Sequence, residues 1–182
     1  MPKALTLSGS IRKGSYNQML ALHVGRKLRE AGAEVTDVNL ADYPMPIFNE
    51  DLEPDNMPET AELLAAVWRE ADIVFVASPE YNGGMTPLLL NTITWLSRQK
   101  PGGLFRKPVI GIGGVSSGKY GTIWSLSHLR DSLSKVGGLI VPGLLGIGPS
   151  ETAFDENGDP VEPAIRGKVE SLVRELMHIR RG

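Results

Sequence analysis

The sequence contains no cysteine, and this absence excludes several kinds of chemistry. Disulfide bonds, thiolate nucleophiles and cysteine-ligated metals or iron–sulfur clusters all require that side chain. Three histidines are present, at His23, His128 and His178, but their spacing is not that of metal ligands, so we predict no metal site. Any redox chemistry must therefore come from a bound organic cofactor.

Long apolar runs and an excess of basic residues are also missing. No apolar stretch near the start has the length of a signal peptide, and none elsewhere has the length of a transmembrane helix. The 19 lysines and arginines are balanced by 21 aspartates and glutamates, for a formal net charge of −2. This composition predicts neither a nucleic-acid partner nor a membrane surface, and we expect a cytoplasmic protein.

The pattern that is present indicates one α/β domain. At 182 residues and 41% hydrophobic content, the chain fits a single domain over residues 1–182. Short apolar runs predict strands at 4–7, 35–40, 72–77 and 108–112, and residues 139–141 open a fifth strand. Helical periodicity predicts helices at 15–31, 59–71, 87–96, 122–136 and 164–179. This alternation predicts a parallel sheet with right-handed crossovers.

The sequence also predicts two irregular segments and the placement of the three tryptophans. Residues 42–58 carry four prolines, which favours an irregular loop, and residues 149–163 are polar enough to indicate a surface segment. Trp68, Trp95 and Trp124 all lie on predicted helices, and we expect them to pack in the core or at an interface.

Parallel sheets bind ligands at the carboxyl ends of their strands, where three loops of unusual composition are predicted: 8–17, 78–86 and 113–121. In the first loop, Ser10, Ser15 and Asn17 offer donors at a helix N-terminus, and Arg12 adds a guanidinium. This combination suits a terminal phosphate monoester, although it is neither a Walker loop nor a Gly-x-Gly-x-x-Gly fingerprint. The alternative is a capped turn with a surface arginine.

The second and third loops are less specific by themselves. Tyr81 can flank a planar ring and Asn82 can bind its polar edge, whereas Glu80 beside Tyr81 can instead form an acid/base pair, or the segment can be a plain turn. The glycine-rich residues 113–121 offer further backbone donors. Three such loops at neighbouring strand ends favour a ligand site more than any one of them does.

These segments resemble the signatures of one known family. Residues 9–17, GSIRKGSYN, resemble the Gly-Ser-x-Arg-x-x-Ser-x-Asn signature of the NAD(P)H-dependent FMN reductases, which include bacterial quinone and chromate reductases and relatives of the azoreductases. Residues 79–83, PEYNG, resemble a second signature of that family. Residues 91–98 and 44–51 resemble two further segments, so the matches are collinear over most of the chain.

The resemblance implies a flavodoxin-like three-layer sandwich with a five-stranded parallel sheet of order 2-1-3-4-5. It implies FMN as cofactor, NAD(P)H as co-substrate, a quinone-like small-molecule acceptor, and a homodimer or homotetramer. The implied cofactor-binding residues come from the three loops: Ser10, Arg12, Ser15, Tyr16, Asn17, Pro79, Glu80, Tyr81, Asn82, Gly83, Ser116, Ser117 and Gly118. No residue is predicted to be catalytic, because a flavin performs hydride transfer itself.

Two alternatives remain open at the level of sequence. One is a non-catalytic flavodoxin-type electron carrier, whose phosphate loops are rich in threonine and lack an arginine, so Arg12 disfavours it. The other is a nucleotide-binding regulatory protein with the same fold. The chain also departs from the family pattern at Leu88, Leu90 and Thr94, positions at which relatives form helix and subunit contacts.

Overall fold

The computed structural model describes residues 1–53 and 57–179, and its centre is a five-stranded parallel sheet of order β2-β1-β3-β4-β5. The strands are β1 (Lys3–Ser8), β2 (Glu34–Val38), β3 (Ile73–Ala77), β4 (Val109–Val115) and β5 (Leu139–Ile147). The helices are α1 (Tyr16–Glu30), α2 (Glu59–Glu70), α3 (Pro87–Ser97), α4 (Ile123–Lys135) and α5 (Pro163–His178). The flavodoxin-like fold and strand order are therefore confirmed, while the single domain over 1–182 stays a prediction.

The sheet is covered by helices on both faces. Every residue of β3 and of β4 is buried, as expected for central parallel strands. One face packs against α1 and α5, and the opposite face packs against α2, α3 and α4. The buried residues of α5 fall at helical spacing on one side of the helix, which faces the sheet: Ile165, Val169, Leu172, Val173 and Leu176.

Local features of the sequence account for the starts of two helices, and one strand extends well beyond the apolar run that opens it. The Ser15 hydroxyl accepts a hydrogen bond from the Gln18 N–H and caps α1, and Pro87 occupies the first turn of α3. The fifth strand begins at Leu139 as predicted, and β5 continues through Pro142 to Ile147 with a register shift against β4. An edge strand tolerates proline, because a residue that would direct its N–H to the open side of the sheet has no ladder hydrogen bond to lose.

Residues 42–53 are mostly irregular, as the prolines of this segment predict, but a short 3-10 turn at Leu40–Asp42 opens the segment and another lies within it at Glu50–Leu52. Pro54 lies outside the described residues. The segment is tied to α3 by the carbonyl of Pro46, which accepts from Trp95 Nε1 at 2.8 Å and from the Asn91 amide at 2.9 Å.

The predicted surface segment 149–163 is anchored more firmly than its composition indicates. A β-bridge joins Phe154 to Pro160, and the Phe154 ring stacks on Tyr16 with ring centroids 6.4 Å apart. His23, a buried residue of α1, hydrogen-bonds through Nδ1 to the Asp159 carboxylate at 2.8 Å. Arg26 also donates to this carboxylate. His23 and Arg26 therefore fasten this segment to α1.

This anchor predicts a pH dependence of stability. Burial lowers the pKa of His23 from its ordinary 6.5, and the hydrogen bond with Asp159 only partly opposes this effect. The unfolded chain then binds more protons than the folded one below about pH 6.5, so the free energy of unfolding falls as the pH drops through that region. Asp159 has a pKa lowered from 3.8, chiefly by the Arg26 hydrogen bond, so its stabilisation is lost only at more acidic pH.

We expect urea unfolding at pH 7.5 and 5.5 to show a smaller loss of stability for His23→Gln than for the unchanged protein. The control is His178→Gln, because His178 is exposed on α5 and lies away from Asp159. Equal losses in the His23→Gln variant and the unchanged protein would show that His23 does not titrate between folded and unfolded states.

Candidate functional site

The loops after β1, β3 and β4 meet at the carboxyl edge of the sheet and enclose a cleft of about 240 Å³. This edge includes the switch point, where the strand order reverses beside β1. The cleft is lined by Ser10, Arg12, Ser15, Tyr16, Asn17, Pro79, Glu80, Tyr81, Val115, Ser116, Ser117 and Ser150. The structure thus brings together residues of all three predicted loops and adds Ser150, which the sequence analysis missed.

Three of the residues predicted to bind the cofactor lie outside the lining of the cleft. Gly118 lines an adjoining hollow of about 500 Å³ instead of the cleft. Asn82 and Gly83 form a tight turn at the end of the second loop and do not line the cleft.

The first loop presents a concentration of free backbone donors. Within the described part of the chain, no partner is found for the N–H groups of Ile11, Lys13, Gly14, Tyr16 and Asn17. The last two belong to the first turn of α1, where the helix dipole adds positive potential. Such an arrangement favours an anion with several acceptor oxygens.

Arg12 adds a full positive charge to these donors. Its side chain is exposed at the rim of the cleft and forms no hydrogen bond or ion pair with any described residue. Gly14, with φ of 67°, lets the loop turn towards α1 through a conformation that favours glycine. The guanidinium is therefore available to a ligand, and a phosphate dianion is the ligand that matches it best.

Asn17 has a more structural placement than the sequence suggested. Its side chain is buried, the amide nitrogen donates to the Val115 carbonyl at 2.8 Å, and the amide oxygen accepts from the Val115 N–H at 2.9 Å. Asn17 thus ties the start of α1 to the end of β4 and holds two walls of the cleft together. Its backbone N–H remains available to an anion.

The second loop ends in a hairpin turn that positions Tyr81. The N–H and carbonyl of Tyr81 pair with those of Gly84, and the intervening Asn82 and Gly83 have φ of 51° and 75°. Positive φ at both central positions is the mark of a type I′ turn, for which Asn-Gly is the preferred sequence. The Tyr81 ring is 55% exposed beside the cleft and is available to a planar ligand.

Glu80 caps a helix, which argues against the acid/base alternative. One oxygen of its carboxylate accepts from the N–H groups of Trp124 and Ser125 in the first turn of α4, at 3.0 and 3.1 Å. The residue at the N-cap, Thr122, makes no capping hydrogen bond with its side chain, so Glu80 performs that task from another loop. The Ser125 hydroxyl donates to the Pro79 carbonyl, joining the same two segments again.

This cap leads to a second prediction. Glu80→Ala should destabilise the protein by about 0.5–2 kcal/mol, the usual effect of removing an N-cap, and should weaken FMN binding because α4 and the third loop loosen. Glu80→Gln should be milder, since its amide oxygen still accepts. The measurements are urea unfolding and flavin titration, with Glu151→Ala as an exposed control. Equal damage from Ala and Gln would show that the negative charge itself matters.

The third loop closes the cleft opposite the second. Ser116 is fixed by its N–H, which donates to the Ile147 carbonyl, and by its carbonyl, which accepts from the Ser150 N–H. Ser117 and Gly118 are exposed beyond this anchor. Gly121 has φ of 65°, and a Cβ there would lie 2.7 Å from the Ile147 nitrogen, so the turn into α4 requires glycine.

These features fit FMN. The free donors and Arg12 match a terminal phosphate, and the cleft continues from them between the second and third loops, where Tyr81 supplies an aromatic surface.

Among the helices of residues 1–53 and 57–179, none is long and apolar enough to cross a membrane.

The comparisons with known proteins agree with this fit. The family model for NADPH-dependent FMN reductases matches residues 2–151. The chain is 34% identical to an NAD(P)H-dependent FMN reductase of Pseudomonas aeruginosa, over 96% of this chain and 92% of that protein. It is 38% identical to a quinone reductase of Escherichia coli, over 72% of this chain and 69% of that protein.

A solved structure gives the same result. The flavoenzyme NAD(P)H:(acceptor) oxidoreductase of Paracoccus denitrificans superposes with a TM-score of 0.81 at 25% identity, covering 97% of this chain and 98% of that one. Its fold is therefore shared along nearly the whole length. The chain is a flavin-dependent oxidoreductase and belongs to the family of NADPH-dependent FMN reductases.

Proposed function

We propose that this enzyme transfers hydride from NAD(P)H through FMN to a quinone-like small-molecule acceptor. The observation that carries the proposal is the cleft at the carboxyl edge of the sheet, where free N–H groups and an unpaired Arg12 lie beside an exposed Tyr81. Relatives named quinone reductase and 2-hydroxy-1,4-benzoquinone reductase support the class of acceptor.

We assign the first loop to the phosphate of FMN. Arg12 and the N–H groups of Ile11, Lys13 and Gly14 would hold the phosphate oxygens, with the N–H groups that open α1. Ser10 and Ser15 line the same wall, although the Ser10 hydroxyl accepts from the Arg12 N–H and that of Ser15 caps the helix. Tyr16, stacked on Phe154, would support the loop from behind.

We assign the second and third loops to the remainder of the cofactor. Pro79 and Tyr81 would line one side of the ribityl chain and ring system, and Ser116 and Ser117 the other. The Asn82–Gly83 turn would keep Tyr81 at the ring edge. Gly118 lies further out, where it leaves room beside the ring.

No side chain of the chain is assigned to the chemical step. When bound, FMN supplies the group that accepts and passes on hydride. The carboxylate best placed to move a proton, Glu80, is engaged in capping α4. The protein's contribution is therefore to bind, orient and partly cover the cofactor.

Two further parts of the proposal concern assembly and location. A homodimer or homotetramer would cover apolar side chains that the monomer exposes, among them Ile47, at 88%, and Leu90, at 49%. Both belong to segments that meet at α3, since Asn91 binds the loop around Pro46. A cytoplasmic location remains our expectation.

The proposal is tested by anaerobic stopped-flow spectroscopy of the FMN-loaded protein. We expect the flavin absorbance to bleach on mixing with NADPH or NADH, and to return on mixing the reduced protein with a benzoquinone. An electron carrier would fail the first step, because it needs a separate reductase. A protein that is reduced by NAD(P)H but not reoxidised by quinones would contradict the proposed acceptor class while leaving the reductase assignment intact.

A further inference from the structure

The start of α4 exposes three large apolar side chains beside the cofactor cleft. Tyr120 is 79% exposed, Ile123 51% and Trp124 64%. Trp68 and Trp95 are buried in the core, whereas Trp124 is exposed, so its packing at an interface stays a prediction. Such a concentration of apolar surface within five residues marks a contact for a ligand or partner.

The backbone that carries these side chains is held rigidly. The Glu80 carboxylate accepts from the Trp124 N–H, and the Gly121 N–H donates to the Gly118 carbonyl. Gly121 itself occupies a conformation that other residues would strain. The exposed surface is therefore presented by a fixed turn and a capped helix, as a preformed binding site requires.

This surface lines the hollow of about 500 Å³ that adjoins the cleft. Its lining includes Lys119, Tyr120, Ile123 and Trp124. The hollow and the cleft share Glu80, Ser116 and Ser117, so the two spaces are continuous. A volume of this order accommodates a small organic molecule in addition to a cofactor held in the cleft.

We propose that the hollow is a subsite for a planar, two-ring aromatic acceptor that carries an acidic substituent. Trp124 and Tyr120 would contact its ring faces and edges, and Ile123 would complete the apolar wall. Lys119 would pair with the acidic group and favour an anionic ring over a neutral one. The inference rests on the proposed function in that it specifies which acceptors reach the cofactor.

The test measures binding without turnover. The dissociation constant of 2-naphthoate, which cannot act as the acceptor, is determined by calorimetry on the oxidised FMN-loaded protein. Trp124→Ala should raise it about tenfold or more, whereas Trp124→Phe should preserve most of the affinity. Leu144→Ala is the matched control, since Leu144 is 43% exposed on β5 and is not among the residues lining the hollow.

The role of Lys119 is tested with a neutral analogue. The unchanged protein should bind 2-naphthoate about two- to fivefold more tightly than 2-naphthamide at low salt, and Lys119→Gln should remove that preference. A preference that survives the substitution would overturn the role given to Lys119.

Two results would overturn the subsite. One is an unchanged 2-naphthoate dissociation constant in Trp124→Ala that still binds FMN normally. The other is tryptophan fluorescence that acrylamide cannot quench in the FMN-loaded protein, which would show that Trp124 is covered and not open to an acceptor, since Trp68 and Trp95 are buried. If the substitutions change 2-naphthoate binding as expected but quinones do not reoxidise the enzyme, the result contradicts the proposed function and leaves the subsite intact.

Discussion

Replacing Asn17 by alanine should lower the free energy of unfolding by about 2–6 kcal/mol. The substitution leaves both the N–H and the carbonyl of Val115 without their partner inside the protein, and each buried unpaired group costs about 1–3 kcal/mol. This is a large fraction of the 5–15 kcal/mol that stabilises an ordinary domain. The free energy of unfolding is measured by urea unfolding of the FMN-free protein, so that dissociation of the cofactor does not contribute to it.

Two further variants separate the hydrogen bonds from the volume of the side chain. Asn17→Asp keeps an acceptor for the Val115 N–H but opposes an oxygen to its carbonyl, so it should destabilise nearly as much despite its similar shape. Gln18→Ala, one position further along α1, should change stability little, because the Gln18 side chain makes no hydrogen bond with a described residue. A mild effect of Asn17→Ala would mean that water replaces the amide.

Replacing Arg12 by alanine should raise the dissociation constant of FMN by about one to two orders of magnitude. A hydrogen bond to a charged group contributes about 1.5–3 kcal/mol, and each 1.4 kcal/mol corresponds to a factor of ten. The Arg12 side chain has no partner among the described residues, so the substitution removes a ligand contact without breaking a side-chain contact inside the protein. Fluorescence titration with FMN measures the change.

Riboflavin provides the decisive comparison, since it lacks the phosphate. Arg12→Ala should leave riboflavin affinity nearly unchanged, and Lys13→Ala, at a neighbouring exposed side chain outside the cleft lining, should alter neither ligand by more than about threefold. Equal losses for FMN and riboflavin would show that Arg12 contacts the ring or the ribityl chain. Unchanged affinity for both ligands would show that Arg12 is a surface residue that does not contact the cofactor.

The fold was predictable because its signals are local or follow from general rules. Ser15 and Pro87 mark helix starts by hydrogen bonding and φ restriction that depend on their immediate neighbours. Uninterrupted apolar residues from Ile73 to Ala77 identify a strand buried on both faces. The end of β5 was not predictable in the same way: the strand continues past Pro142 because an edge strand tolerates proline, and a position in the sheet is not a local property.

The site was predictable at the level of its loops but not of its individual side chains. Glu80 finds its partners 44 and 45 residues away, and Asn17 finds Val115 across 98 residues. No spacing rule reports such pairs, so the sequence did not indicate that the side chains of these two residues join the loops, and their contact with the cofactor stays a prediction. Ser150 was missed because a lone serine after β5 carries no signal until the Ser116 carbonyl is seen to accept from its N–H.

The division of the helices between the two faces of the sheet determines which face can be covered while the chain is still being synthesised. The face formed by α2, α3 and α4 can close while synthesis is still under way, because those helices follow one another along the chain. The other face joins α1 to α5, which begins only at Pro163. At roughly 5–20 residues per second, the side of α1 that packs against α5 waits about seven to thirty seconds for that partner. The strands that cover the rest of α1 are made earlier, so only this side of the helix stays exposed in the nascent chain until the last helix has been made.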